Sequence, residues 1–182
     1  MNVLNDYQNL SVDEIKELYA KISSDVAVGC INLSGDCNIG MMIRSSSIFG
    51  VGKFYILGRK FYDRRSSVGT QNHIPVVKIY TMLGNHSETL NINEVINELK
   101  KLQDTYTIVF IEQSEKSIQL SDIHTIKMDK PPLFIFGNES SGIPIEILNM
   151  ELTICIEIKQ RGIGRSLNVS TACGIVLYEW FR

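Results

Sequence analysis

Chemistry in this 182-residue chain gathers in three short stretches, each joining glycine to polar side chains. The first is Asn38-Ile39-Gly40-Met41-Met42-Ile43-Arg44. The second is Phe136-Gly137-Asn138-Glu139-Ser140-Ser141-Gly142-Ile143-Pro144. The third runs from Ile158 through Gln160, Arg161, Gly162, Gly164 and Arg165 to Ser166-Leu167-Asn168-Val169-Ser170. Glycine lets the main chain approach a ligand and offer it N–H and C=O groups. Ser166 and Asn168 fall where the N-cap and first turn of a last helix belong, at its positive end. Taken singly, each has a plain structural role: Asn38 caps a helix, Glu139 bonds a loop amide, Ser166 caps the last helix. Their joint occurrence points to a site.

A second signal is charge. Arg59-Lys60-Phe61-Tyr62-Asp63-Arg64-Arg65 carries four cations against one anion with two aromatics between them, and Lys159, Arg161 and Arg165 surround two glycines. The formal net charge of −2 argues against a general polyanion binder, yet local basic patches hold phosphate on acidic proteins too. The plain alternative is a solvated face.

The elements that must position these groups are legible from pattern. Ser11-Val12-Asp13-Glu14 is a capping box opening a helix to about Ser23. Strands are expected at Asp25–Asn32, Lys53–Leu57, Val76–Tyr80, Thr105–Glu112, Leu133–Phe136 and around Thr153–Ile158. Helices are expected from Asn38 to Gly50, over Asn91–Lys101, from Pro144, and from Ser166 toward Arg182. Strands and helices alternate, and the strands are continuously apolar. That combination predicts an α/β fold with a mainly parallel sheet covered by helices on both faces. Neither repeat nor linker interrupts 1–182, so one domain is expected, with 1–24 as a helical extension.

Several classes are excluded. No apolar run reaches the ~18–20 residues that span a bilayer, and Met1–Asp13 lacks a signal-peptide pattern, so a soluble, cytoplasmic protein is expected. Cys30, Cys37, Cys155 and Cys173 form no C-x-x-C pair and His73, His86 and His124 are scattered, so no metal is expected. Gly52-Lys53 is followed by Phe54, which breaks the phosphate-loop pattern. Gly162-Ile163-Gly164 lacks the third glycine of a dinucleotide loop, and there is no G-x-S-x-G elbow.

In this order, N-x5-R, F-G-N-E-x-x-G-I-P and S-L-N-V-S-x-A resemble the three motifs of the SpoU/TrmH branch of SPOUT methyltransferases. The resemblance covers roughly Asp25 to Trp180. Ile111-Glu112-Gln113-Ser114, Ile158-x-Gln160, Arg165-Ser166-Leu167-Asn168 and Tyr178-Glu179-Trp180 look most like the eukaryotic-type tRNA enzymes that methylate a D-loop guanosine. The resemblance implies a deep trefoil knot over about 133–182 and S-adenosyl-L-methionine (AdoMet) as cofactor. It implies AdoMet contacts at Glu112, Gly137, Ile158, Gln160, Ser166, Leu167 and Asn168. Arg44 is then the catalytic group, supported by Asn38, Glu139, Ser166 and Asn168, and a homodimer completes the site because Arg44 enters from the partner. RNA, with tRNA implied by that likeness, would be gripped by Arg59, Lys60, Arg64, Arg65 and Arg161. Two departures stand out: Lys159 replaces the family's usual proline, and only the segment 1–24 precedes the first strand, where relatives often carry an RNA-binding extension.

The implied reaction is an in-line displacement at a sulfonium methyl by a ribose 2′-oxygen. Arginine resists deprotonation, so Arg44 is read as fixing the phosphate and stabilising the developing alkoxide, with a phosphate oxygen or water taking the proton; a general-base arginine is the other account. rRNA as substrate, a non-catalytic RNA-binding module and a flavodoxin-like small-nucleotide binder remain as alternatives.

Overall fold

The computed structural model describes residues 3–59, 61–84 and 89–182. In chain order the main elements are α1 (Val12–Ile22), β1 (Ala27–Ile31), α2 (Asp36–Ile48), β2 (Lys53–Gly58), β3 (Val76–Tyr80) and α3 (Ile92–Leu102). They continue with β4 (Thr107–Ile111), β5 (Ile118–Gln119), β6 (Pro132–Phe136), α4 (Ile145–Leu148), β7 (Thr153–Glu157) and α5 (Val169–Phe181). Short 3-10 turns lie at Arg64–Ser67, Thr70–Asn72 and Leu120–Thr125, among others.

Local signals explain the helix starts. The Ser11 hydroxyl accepts from the Glu14 amide at 3.3 Å while the Glu14 carboxylate accepts from the Ser11 amide at 2.8 Å, which satisfies two otherwise orphaned donors. Ile15 and Tyr19, four residues apart on one face of α1, are buried, and the Tyr19 hydroxyl donates to the Val51 carbonyl at 2.6 Å.

Among the described residues seven strands pair in parallel, in the order β3-β2-β1-β6-β4-β7-β5. On one face Val28, Cys30, Phe54, Phe134 and Phe136 pack against Ile39, Met42 and Ile43 of α2 and Cys173, Val176 and Leu177 of α5. On the other face Ala27, Ile31, Leu57, Leu133 and Ile135 meet Val95 and Leu99 of α3 and Ile147 of α4. Because each central strand is buried on both sides, its sequence is continuously apolar rather than alternating. Each large apolar side chain so buried contributes on the order of 1.5–3 kcal/mol.

Two helix starts differ from the sequence expectation. α2 begins at Asp36 with Gly35 as N-cap, so Asn38 lies inside the first turn. α5 begins at Val169, where Asn168 and not Ser166 is the capping residue. The Asn168 Oδ1 accepts from Ser170 and Thr171 amides at 3.0 and 3.3 Å, a geometry open only to the residue directly before the helix. β5 and the 3-10 turns were not legible because they are too short to show a period.

Candidate active site

Strand β6 sits between β1 and β4, so the loops leaving the carboxyl ends of β1, β6, β4 and β7 converge on one edge of the sheet. The β1 loop turns at Asn32, whose φ of +48° is left-handed, a region Asn enters more readily than most residues. Its carbonyl accepts from the Asn138 side chain at 2.7 Å, while Asn138 Oδ1 accepts from the Ser140 and Ser141 amides at 2.9 and 3.2 Å. Asn138 and Gly142 close a tight main-chain bridge with bonds of 3.0 and 2.9 Å.

Glu139 binds the β1 loop to this turn. Its carboxylate accepts from the Ser34 amide at 3.1 Å, the Ser34 hydroxyl at 3.2 Å, the Gly35 amide at 3.0 Å and the Asn38 side chain at 2.8 Å. Partial burial pushes the Glu139 carboxyl up, but donors from Asn38, its own loop, Ser34 and Gly35 outweigh that and hold it below the ordinary value. Such charge-assisted bonds are the strong kind. Asn38 Oδ1 accepts in turn from Asn168 Nδ2 at 3.0 Å. Asn38, Glu139 and Asn168, separate in sequence, thus form one network.

Glu112, just past β4, accepts from the Ile143 amide at 2.9 Å and from the Gln113 amide at 3.0 Å. Gly142 passes close by. With φ of +67°, a Cβ there would stand 2.4 Å from Glu112 Oε2, so only glycine fits without a shift.

Between these loops lies a hollow of about 830 Å³, within the ordinary range for a small-molecule site. Its wall includes Glu112, Gly137, Ile158, Gln160, Ser166 and Leu167, six residues singled out in the sequence. Glu139 lines it as well. Asn168 does not; its amide is spent on Asn38 and on the start of α5. Sequence reasoning assigned no role to Asn138, although it stands inside the quoted F-G-N-E stretch, or to Glu157, and it named Arg165 without a site role, as one of a basic cluster; all three line the hollow. Glu157 accepts a hydrogen bond from Gln119 of β5. The charged residues lining the hollow are thus three carboxylates, Glu112, Glu139 and Glu157, and one guanidinium, Arg165, beside apolar Ile111, Ile143, Ile158 and Val169. The arrangement suits a ligand with a flat apolar part and net positive charge. A hollow of about 850 Å³ at the opposite edge, lined by Lys16, Tyr19, His73 and Tyr106, holds none of the residues expected to serve cofactor, catalysis or RNA.

Arg44 is exposed on α2, outside the hollow. Six residues on from Asn38 places it about 240° around the helix, away from the Glu139–Asn168 side. It lies between Met41 and Ile48 in one stripe, and these are 48% and 69% exposed. α2 packs on α5, whose own outer residues Ile175, Tyr178 and Phe181 are also exposed. Arg64, Arg65 and Arg161 are exposed and Arg59 is half-buried; Lys60 lies outside the described residues. Lys159, standing where the family's proline is usual, is exposed just beyond β7. Among the described residues no group of three or more His, Cys, Asp or Glu could hold a metal ion, and no helix is long and apolar enough to cross a membrane.

Comparison with known proteins gives a consistent picture. The profile of the SpoU rRNA Methylase family matches residues 25–178. A mouse tRNA (guanosine(18)-2′-O)-methyltransferase is 26% identical over 175 residues, covering 93% of this chain and 10% of its own length. The Saccharomyces cerevisiae tRNA (guanosine(18)-2′-O)-methyltransferase is 28% identical over 147 residues, covering 79% of this chain and 9% of its own. The chain thus spans about a tenth of the length of these two relatives. An AdoMet-bound rRNA methyltransferase from Sinorhizobium meliloti superposes with a TM-score of 0.68 at 22% identity, covering 91% of this chain and 58% of that one; it shares the fold.

Proposed function

The chain belongs to the SpoU rRNA methylase family, and from that premise we propose that it transfers the methyl group of AdoMet to a ribose 2′-hydroxyl of RNA. The observation that carries this is the hollow at the carboxyl ends of the strands, with three carboxylates against one guanidinium and an apolar wall. That lining matches a cofactor made of a flat base, a ribose and a cationic sulfonium tail. Glu112, Gly137, Ile158, Gln160, Ser166 and Leu167 would hold it, with Asn168 bracing the loop from behind. When bound, AdoMet supplies an electrophilic methyl group.

The remaining work falls to the chain's own residues. Arg44 would hold the phosphate next to the target ribose and stabilise the developing 2′-alkoxide. It remains charged throughout, so the proton passes to a phosphate oxygen or water. Asn38, Glu139, Ser166 and Asn168 set the geometry of the loops around that point, where holding oxygen and methyl at attack distance is worth up to ~7–11 kcal/mol. Because Arg44 lies outside its own hollow, the reading includes a homodimer in which α2 and α5 face their copies and each Arg44 serves the partner's site. The exposed stripe Met41, Arg44, Ile48 and the outer face of α5 support it. A trefoil knot over about 133–182 belongs to the same reading, supported by β6 lying between β1 and β4 and by α5 docked on α2.

The names of the mouse and yeast relatives favour tRNA, with a D-loop guanosine as target. The SpoU rRNA Methylase family and the Sinorhizobium rRNA methyltransferase favour rRNA as the second substrate. The test is nucleoside mass spectrometry of tRNA and rRNA incubated with pure protein and AdoMet. A 2′-O-methylated nucleoside is expected from RNA and none from DNA of matching sequence, since DNA lacks the 2′-hydroxyl. AdoMet binding without any 2′-O-methyl product would leave the non-catalytic reading in its place.

A further inference from the structure

The segment after β2 treats its two aromatic residues differently. Tyr62 is half-buried and carries the Lys78 ammonium 5.0 Å above its ring. Phe61, its neighbour, stands 82% exposed. Part of the positive charge around the pair is uncompensated. Asp63 is committed to Arg65 through bonds of 3.0 and 3.1 Å and also accepts from Cys37 at 3.8 Å. Among the described residues no carboxylate pairs with Arg64 or Lys78, and each lies close enough to the other for mutual repulsion to weigh against the Lys78 charge, after burial. An exposed aromatic beside unneutralised cations, on a chain of net charge −2, matches what a nucleotide offers: a flat base and a phosphate.

The patch is also anchored. Ser66 donates to the Asp63 carbonyl at 2.6 Å, and the Arg64–Ser67 turn packs on α2. The approach at Gly40 is so close that a Cβ would stand 1.9 Å from Ser66 Oγ and 2.8 Å from the Asp63 carbonyl. Gly40 lies one turn before Arg44, so the turn beside the patch packs on the helix that carries the proposed catalytic arginine.

We infer that Phe61 is a stacking platform for an unpaired RNA base, and that Lys78 together with Arg64 holds the phosphate of that nucleotide. The inference rests on RNA being the substrate, and it adds what that reading leaves open: the RNA near Arg44 is held single-stranded. Stacking on an aromatic face tolerates any base, so the patch sets the strandedness of the target rather than its sequence. Lys78 sits on the edge strand β3 and was invisible in the sequence because only the fold brings it over Tyr62.

The test is fluorescence anisotropy with a labelled oligouridylate and an RNA duplex of equal length, on wild type, Phe61→Ala, Phe61→Trp and Lys78→Gln. Wild type should prefer the oligouridylate. Phe61→Ala should weaken that binding about fivefold or more, the low end for a stacked base, while Phe61→Trp keeps it. Lys78→Gln should weaken binding and flatten its salt dependence by about one phosphate contact. Calorimetry with AdoMet should be unchanged in all variants, which reports that they fold. Equal oligouridylate affinity in wild type and Phe61→Ala, or a wild type that prefers duplex, would overturn the inference. If Phe61 governs RNA binding but no RNA is methylated, the inference stands and the proposed reaction falls; if methylation occurs with Phe61 indifferent, the reverse holds.

Discussion

Asn168 Nδ2 donates to Asn38 Oδ1 at 3.0 Å across 130 positions of sequence, and Asn38 Nδ2 donates onward to Glu139 at 2.8 Å. The direction of this chain is fixed at both ends. The ionised Glu139 can only accept, which orients the Asn38 amide. At the other end the amides opening α5 can only donate, which orients Asn168. One polarised network therefore ties the β1 loop, the β6 loop and the last helix into a single wall.

Asn38→Asp breaks that polarity by setting a second carboxylate against Glu139. At neutral pH it should cost about 1–3 kcal/mol, the range for a disrupted buried or charged hydrogen bond. Urea unfolding measures it, and an unchanged midpoint would mean that the network adds no net stability.

Acid should loosen the same wall. Glu139 has a folded pKa below its ordinary value of 4.5. A depressed carboxylate contributes stability that is fully present above the unfolded pKa and is lost as pH falls through the lower folded one. Stability should therefore decline below about pH 4.5 more steeply in wild type than in Glu139→Gln. Parallel pH profiles in the two proteins would count against it.

Gly142→Ala forces a Cβ to within 2.4 Å of Glu112 Oε2 at a φ of +67°. Incompatible backbone of this kind costs about 1 kcal/mol or more. AdoMet affinity by calorimetry should fall about tenfold or more, equivalent to ~1.4 kcal/mol. Full retention of affinity would remove this turn from the cofactor wall.

Arg44→Ala and Arg44→Lys should both abolish methylation and leave AdoMet affinity nearly intact, since lysine keeps the charge but loses the planar fork. Mixing Arg44→Ala with Asn168→Ala chains should restore activity, because each mixed dimer regains one site with both residues. A mixture that stays inactive despite mass-spectrometric proof of mixed dimers would mean that Arg44 serves its own subunit.

Thiol reactivity should separate the cysteines. Cys37 is exposed, whereas burial pushes Cys173 up to about 12 and drives Cys30 higher still. Thiolate is the reactive form, so titration with a disulfide reagent should give one fast equivalent, abolished by Cys37→Ser. Fast reaction at Cys30 or Cys173 would indicate that the α2–α5 face opens readily.

The amino-acid sequence alone determined the elements and the three loops that matter. Apolar continuity at Val26–Ile31 and Leu133–Phe136, the capping box at Ser11 and the glycines of the loops are local signals, and local signals survive without a fold. The resemblance carried by those loops singled out Glu112, Gly137, Ile158, Gln160, Ser166 and Leu167, and the fold gathers all six around one hollow, because loops after parallel strands share one edge. Only the tertiary structure decided which neighbours those loops have. The insertion of β6 between β1 and β4 brings Glu139 to Ser34, Gly35 and Asn38, and strand order reflects pairings between distant segments that no window of sequence contains. Helix starts were decided the same way, since Asn38 and Ser166 looked as fit to cap as the residues that do. Asn38 is taken up instead by Glu139 and Asn168, and at the last helix it is Asn168 that stands directly before the first turn. The exposure of Arg44 is likewise geometric, set by the angle between it and Asn38 on a helix whose inner face was already claimed by the core.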